Sequence, residues 1–201
     1  MIRVLLAEDQ AMMRGALAVL LDLEEDLEVV AQVSDGAVIV PTALEVRPDV
    51  ALLDIELPHM SGLDAAAALT QALPECRVVM VTTFGRPGYL QRAMAAGAVG
   101  FLVKDGPVEG LAEAIRKVAG GATVVDPELA AKALRTAVSP LTPRERDVLA
   151  AAEDGSTVAD VASRLHLSAS TVRNYLSDAI GKTGTRNRTE AAQLARRNGW
   201  L

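Results

Sequence analysis

The chain has 201 residues, a formal charge of −6, and a composition that is 50% hydrophobic but only 2% aromatic. That length allows one large domain or two small ones, and the apolar content excludes disorder as the dominant state. A single cysteine, Cys76, excludes an intramolecular disulfide framework and any multi-cysteine zinc site.

No run of 18 apolar residues is present, so no transmembrane helix is expected. The N-terminal MIRVLLAEDQ turns acidic too soon for a secretory leader. The expectation is a soluble cytoplasmic protein with no membrane partner. Charge is uneven along the chain. Residues 1–139 hold 11 Lys+Arg and 19 Asp+Glu, whereas residues 140–201 hold 9 and 7. An acidic part and a slightly basic part suggest two jobs.

Short aliphatic runs alternate with helical patterns through the first 120 residues. Strands are expected at Ile2–Leu6, Leu27–Val33, Val50–Leu53, Arg77–Val81 and Gly100–Val103. Their near-continuous apolar character suits strands buried on both faces of a parallel sheet. Crossover helices are expected at Met12–Asp22, about 36–47, Ser61–Ala72 and Pro87–Ala96, with a fifth at Val108–Ala119. Five β–α units argue for a doubly wound α/β domain with a five-stranded parallel sheet. Pro41 falls inside the second helix, which predicts a late start or a kink.

Residues 121–139 read as a linker carrying one helix, Glu128–Ala137. Beyond it every signal is helical. Thr142-Pro143-Arg144-Glu145 is a capping box with proline at the first helical position. That helix should run to about Asp154. Then come Val158–Leu165, a tight turn at His166-Leu167, a longer helix from Ala169 to about Thr183 capped by Ser168, and a last helix over about 187–198. Two helices joined by a short turn form a helix-turn-helix pattern. The expected domains are therefore residues 1–120, a linker at 121–139, and a small all-α domain at 140–201.

Ligands bind at the carboxyl edge of a parallel sheet. Glu8 and Asp9 follow the first expected strand and Asp54 follows the third. In a strand order of 2-1-3-4-5 those strands are neighbours, so three carboxylates converge. Like charges that close need a neutralising partner, and a few oxygen ligands with a water-rich shell suit Mg²⁺. Thr82 ends the fourth strand with a hydroxyl and Lys104 follows the fifth with a cation. Taken singly, each has a commoner reading: a cap, a solvated turn, a strand residue, a surface charge. Taken together after successive strands, they are the parts needed to phosphorylate a carboxylate.

At these residues a resemblance enters. Residues 1–120 resemble a response-regulator receiver domain of the CheY/flavodoxin-like type, through Glu8-Asp9, Asp54-Ile-Glu-Leu-Pro58 with Gly62, Thr82, and Phe101-Leu-Val-Lys104. The resemblance implies Asp54 as phosphoacceptor. It implies Glu8, Asp9, Asp54 and the Glu56 carbonyl around the metal, Thr82 on a phosphoryl oxygen, and Lys104 paired with the phosphate. Phe101 matches the switch position that moves with Thr82; an ordinary apolar strand residue is nearly as good a reading.

Residues 140–201 resemble the NarL/FixJ group with its LuxR-type helix-turn-helix, through LTPRERDVL, DVASRLHLSASTVRNYLSDAI and the Arg186-Asn-Arg188-Thr-Glu-Ala run. Thr183 and Thr185 depart from the usual Leu and Val there. The TTFGRPGY stretch and the terminal Gly-Trp-Leu look most like the DesR-type subgroup, which controls membrane-lipid genes.

The helix 169–183 is expected in the major groove of double-stranded DNA. Val172, Leu176 and Ile180 should form its buried stripe. Thr171, Arg173, Asn174, Tyr175 and Ser177 lie along its first half, with Arg173 and Asn174 the best base readers. Ser168, Thr171, Arg186, Asn187 and Arg188 are expected on phosphates, with a helix cap the alternative role of Ser168.

The resemblance further implies a sensor histidine kinase as phosphodonor and a homodimer on phosphorylation. An outer face of helix Met12–Asp22, with Val108–Ala119, is a candidate dimer surface; a wide amphipathic stripe is nearly as good a reading. Two other functions compete with a phosphorylation-gated transcription regulator. A Mg²⁺-dependent phosphotransferase or phosphatase lacks a second acid–base group beside Asp54. A DNA-binding protein that never accepts phosphate does not need the intact acids, threonine and lysine. A nicotinamide enzyme is disfavoured because no G-x-G-x-x-G follows a strand.

Overall fold

The computed structural model describes residues 1–83, 87–104, 108–135 and 139–201, and gives backbone alone for residues 87, 108, 109, 128, 132, 134 and 135. Part of the TTFGRPGY stretch, residues 84–86, and residues 136 and 137 of the expected linker helix lie outside the described residues. The chain divides into two compact units, Met1–Gly85 with Leu90–Ala131, and Arg86–Tyr89 with Lys132–Leu201.

The first unit is built on a parallel sheet of β1 (Ile2–Ala7), β2 (Leu27–Val33), β3 (Val50–Asp54), β4 (Arg77–Thr82), β5 (Gly100–Val103) and β6 (Val124–Val125), in the order β2-β1-β3-β4-β5-β6. Five strands stand where expected. The sixth corrects the expectation of a five-stranded sheet: Val124 and Val125, placed in the linker by sequence, pair with Gly100 and Phe101. Val4, Leu6, Val50, Leu52, Val79 and Val81 point to one face and pack under α1 (Ala11–Asp22) and α5 (Val108–Ala119) through Ala18, Leu21, Leu111, Ile115 and Val118. Leu5, Leu53 and Met80 alternate to the other face and are equally buried. On that side α2 (Ile39–Val46) and α3 (Gly62–Ala72) pack together. Burial on both faces is what selects aliphatic runs over alternating ones.

Local chemistry sets the helix limits. A single 3₁₀ turn, Gly36–Val38, precedes α2, which starts late at Ile39. Pro41 therefore sits in the first turn, where its missing N–H has no helical acceptor to lose. Ser61 caps α3 by accepting from the Asp64 N–H. Helix α4 covers Pro87–Ala95, and α6 covers Pro127–Arg135.

The second unit contains α7 (Pro143–Ala151), α8 (Val158–Arg164), α9 (Ala169–Thr183) and α10 (Arg188–Arg197). The capping box at Thr142 forms as expected, but α7 ends at Ala151 rather than near Asp154. His166, at φ 54, turns the chain from α8 into α9. Val148, Leu149, Val161, Val172, Leu176, Ala179, Ala191, Ala195 and Trp200 form the core. Ile180 was expected on the buried stripe of α9; Ala179 takes that place fully buried, and Ile180 packs half-buried at its edge.

Glu145 is 4% exposed. Its carboxylate accepts from the Thr142 N–H at 2.8 Å and from Lys182 Nζ at 2.7 and 2.9 Å. This ties the start of α7 to the end of α9. Burial pushes the carboxyl pKa up, but the bonds from Lys182 and Thr142 outweigh it and hold the group below the usual carboxylate range. A depressed folded pKa means stabilisation that is present above the unfolded value and lost as pH falls through the folded one. We expect Glu145→Gln to destabilise the second unit by about 1–3 kcal/mol at neutral pH, and to flatten its stability profile below about pH 5. The fluorescence of Trp200, the single tryptophan, followed in urea at several pH values, checks both.

Cys76 is buried beside β4, and desolvation first, then the charges of Asp49 and Glu75, push its thiol up to about 12. The thiolate is the reactive form. Labelling by a disulfide reagent should therefore follow unfolding of the first unit, with almost no reaction in native buffer.

Candidate phosphoacceptor and metal site

Three strand ends build the pocket. β1 ends at Ala7 and delivers Glu8 and Asp9. Its neighbour β3 ends on Asp54 itself, and Lys104 follows β5. Glu8 and Asp54 are buried, Asp9 is exposed, and one carboxylate oxygen from each lies within 4.8 Å of the others. Oxygens around an octahedral Mg²⁺ at about 2.1 Å sit about 3–4 Å apart. The all-carboxylate donor set and its spacing thus fit a hard divalent cation.

Lys104 bridges the two buried acids, with Nζ donating to Glu8 Oε2 at 2.5 Å and to Asp54 Oδ2 at 2.8 Å. Its side chain is 6% exposed. Burial pushes the ammonium pKa down, yet the bonds to Asp54 and Glu8 prevail and raise it above the ordinary lysine value. Asp54 Oδ1 accepts from the Ile55 N–H at 2.7 Å. Glu8 Oε1 accepts from the Gln10 N–H at 3.2 Å. Thr82, the last residue of β4, is 2% exposed, and its carbonyl accepts from the Lys104 N–H at 2.8 Å. Phe101 is fully buried and pairs with Met80 in the sheet.

The loop after β3 carries Glu56, whose side chain is exposed. It is fastened from the β2 side: the Gly36 N–H donates to the Pro58 carbonyl at 3.2 Å, and His59 Nδ1 lies 2.6 Å from Asp35 Oδ2. Two glycines let these backbones meet. A Cβ on Gly36 would stand 1.8 Å from the Met60 carbonyl oxygen, and one on Gly62 would stand 1.7 Å from that of Asp54. Sequence reasoning missed Arg14, whose Nη1 donates to the Glu8 carbonyl at 2.6 Å and the Asp9 carbonyl at 3.4 Å. The available signal was a basic residue in the first turn of α1, where the helix dipole disfavours it.

In the second unit Arg173, Asn174 and Ser177 share the exposed side of α9, while Thr171 and Tyr175 are half-buried. Ser168 caps α9, accepting from the Thr171 N–H at 3.1 Å. Asn187 caps α10, accepting from the Glu190 N–H at 2.9 Å. Arg186 pairs with Glu190. Arg188 Nη1 donates to the Ser156 carbonyl at 2.8 Å. Four of the residues expected on phosphates therefore also hold the unit together. Thr183 and Thr185 meet through their hydroxyls at 3.0 Å.

Residues 4–116 match the response regulator receiver domain, and residues 139–195 match bacterial regulatory proteins of the luxR family. The chain is 47% identical to the transcriptional regulatory protein YvfU of Bacillus subtilis (strain 168), and 43% identical to the transcriptional regulatory protein DesR of the same organism. Both alignments span all of each chain. Among solved structures, the response regulator ChrA of a heme-sensing two-component system matches at 32% identity and a TM-score of 0.58, covering 100% of this chain and 98% of that one. An RcsB structure from Salmonella typhimurium, at 20% identity, matches in fold with a TM-score of 0.77 over 98% of each. The chain belongs to the response regulators that join a receiver domain to a LuxR-type DNA-binding domain.

Proposed function

We propose that this regulator is switched by phosphorylation of Asp54 from a sensor histidine kinase, with Mg²⁺ bound by Glu8, Asp9, Asp54 and the Glu56 carbonyl. The observation that carries the reading is the convergence of three carboxylates within 4.8 Å beside a buried lysine. An Asp54 carboxylate oxygen forms the new bond to phosphorus as the phosphorus–nitrogen bond of the donor phosphohistidine breaks, and the imidazole leaves with the electron pair. Mg²⁺, when bound, offsets the negative charge of the transferring group. Lys104 exchanges its contact with Asp54 for one with the phosphoryl oxygens. Thr82 supplies a hydroxyl to another of those oxygens, and Phe101 follows its movement. Phosphorylation is stoichiometric, so the chain acts as a regulator rather than a turnover enzyme.

Domain limits of 1–120, 121–139 and 140–201 organise this reading, with β6 at the start of the linker segment completing the sheet. Phosphorylated receivers pair through the outer side of α1, a role supported by Met12 and Val19 on the helix and Leu23 just after it, which are 88%, 62% and 73% exposed. Pairing sets two α9 helices about one DNA turn apart. Arg173 and Asn174 read base edges there. Thr171, Tyr175, Ser177 and the Ser168, Arg186, Asn187 and Arg188 group line the DNA side and meet the backbone. Among the described residues no helix is long and apolar enough to cross a membrane. Binding to chromosomal DNA supports a cytoplasmic location.

Intact mass after incubation with acetyl phosphate and Mg²⁺ should rise by one phosphoryl group in the wild type and not in Asp54→Ala; an equal gain in the variant overturns the assignment. Arg173→Ala should weaken binding to a selected operator by about 1–3 kcal/mol and relax preference at one base pair. Fluorescence anisotropy against single-base operator variants checks this.

A further inference from the structure

We propose that Arg14 is the positioning residue of the acid pair, holding the turn after β1 so that the Glu8 and Asp9 carboxylates stay aimed at Asp54. The inference rests on reading those three acids as the metal and phosphoryl site.

The side chain reaches back from the first turn of α1 and places one guanidinium nitrogen against two consecutive carbonyls, at 2.6 Å from Glu8 O and 3.4 Å from Asp9 O. Those carbonyls belong to the two residues whose side chains form the acid pair, so the clasp fixes the peptide planes from which both carboxylates project. Two ordinary reasons for an arginine fail at this position. A cation in the first helical turn opposes the macrodipole, and no acidic residue in that turn compensates it. Nor does Arg14 form an ion pair with any carboxylate among the described residues. The helix start gains little from its own cap, because Gln10 makes no side-chain cap bond. What Arg14 does is satisfy carbonyls in a turn that must hold two negative groups close to a third. Its fixed positive charge also lies behind that turn, where it lowers the repulsion among them.

Groups that orient metal ligands without touching the metal commonly change affinity by about 10–100-fold. The full-length protein, Arg14→Gln and Arg14→Lys should be compared by two readouts. One is Mn²⁺ binding from the electron paramagnetic resonance signal of the free ion. The other is the Mg²⁺ concentration giving half-maximal phosphorylation by acetyl phosphate.

Arg14→Gln should weaken Mn²⁺ binding about tenfold. The half-maximal Mg²⁺ concentration should rise in parallel, with a smaller change in the limiting rate. Arg14→Lys, which keeps the charge on a shorter side chain, should fall between. Wild-type metal affinity in Arg14→Gln overturns the proposal, even if its melting temperature drops. Should Arg14→Gln not fold, Arg14→Lys decides: weakened Mn²⁺ binding with a wild-type melt supports the clasp, and unchanged binding overturns it. Failure of the wild type to bind Mn²⁺ or accept phosphate would instead overturn the reading of the pocket itself.

Discussion

Repulsion among three carboxylates at one sheet edge is the constraint around which the first unit is arranged. Two unit charges about 4.8 Å apart repel by about 3–4 kcal/mol at an effective dielectric constant near 20. Neighbouring strands lie about 4.8 Å apart, so placing β1 beside β3 makes this cost unavoidable. Lys104 offsets it by bonding to both buried acids at once. Because its folded pKa is raised, that stabilisation is complete below the ordinary lysine value near 10.4 and is lost only as pH climbs through the folded value. Around neutrality Lys104 therefore keeps its charge and this contact. What can change it is a competing cation or a phosphoryl group that takes the lysine away from Asp54.

Such a pocket works only if the loops behind it hold still, and backbone contacts do most of this. Gly62 lets α3 begin against the Asp54 carbonyl, and Gly36 lets the loop after β2 press on the loop after β3. His59 sits at φ 60, a conformation that favours glycine. Its bond to Asp35 offsets that strain and links the two loops a second time. Carboxylate placement is therefore set by neighbouring backbones as much as by the strands that carry the acids.

Most of this was legible in sequence because burial on both faces forces long aliphatic runs, and the acids stand directly after them. The order of strands then brings Glu8, Asp9, Asp54 and Lys104 together without further information. Other features left weaker traces. β6 has two residues, too few for any periodicity to register. On α9, a residue eight places after Val172 lies roughly 80° round the helix and one seven places after lies roughly 20° away, so Ala179 rather than Ile180 faces the core. Arg14 escaped notice because its partners are carbonyl oxygens, which every residue type carries alike.

The charge of the DNA-binding unit bears on the proposed control by pairing. Its formal charge is only +2, and most of its cations already have partners within the unit. Arg144, Arg164, Lys182, Arg186 and Arg196 are paired with carboxylates, and Arg188 is committed to carbonyls. Arg146, Arg173 and Arg197 form no ion pair among the described residues. Sequence-independent affinity scales with the number of phosphates neutralised, so one copy holds DNA weakly at physiological salt. Base contacts from a single α9 add only a few kcal/mol. In the proposed dimer, two copies would contribute both sets within one binding event, and the second unit would bind at the high effective concentration set by its partner. Poverty of free positive charge is thus what leaves the proposed phosphorylation event in command.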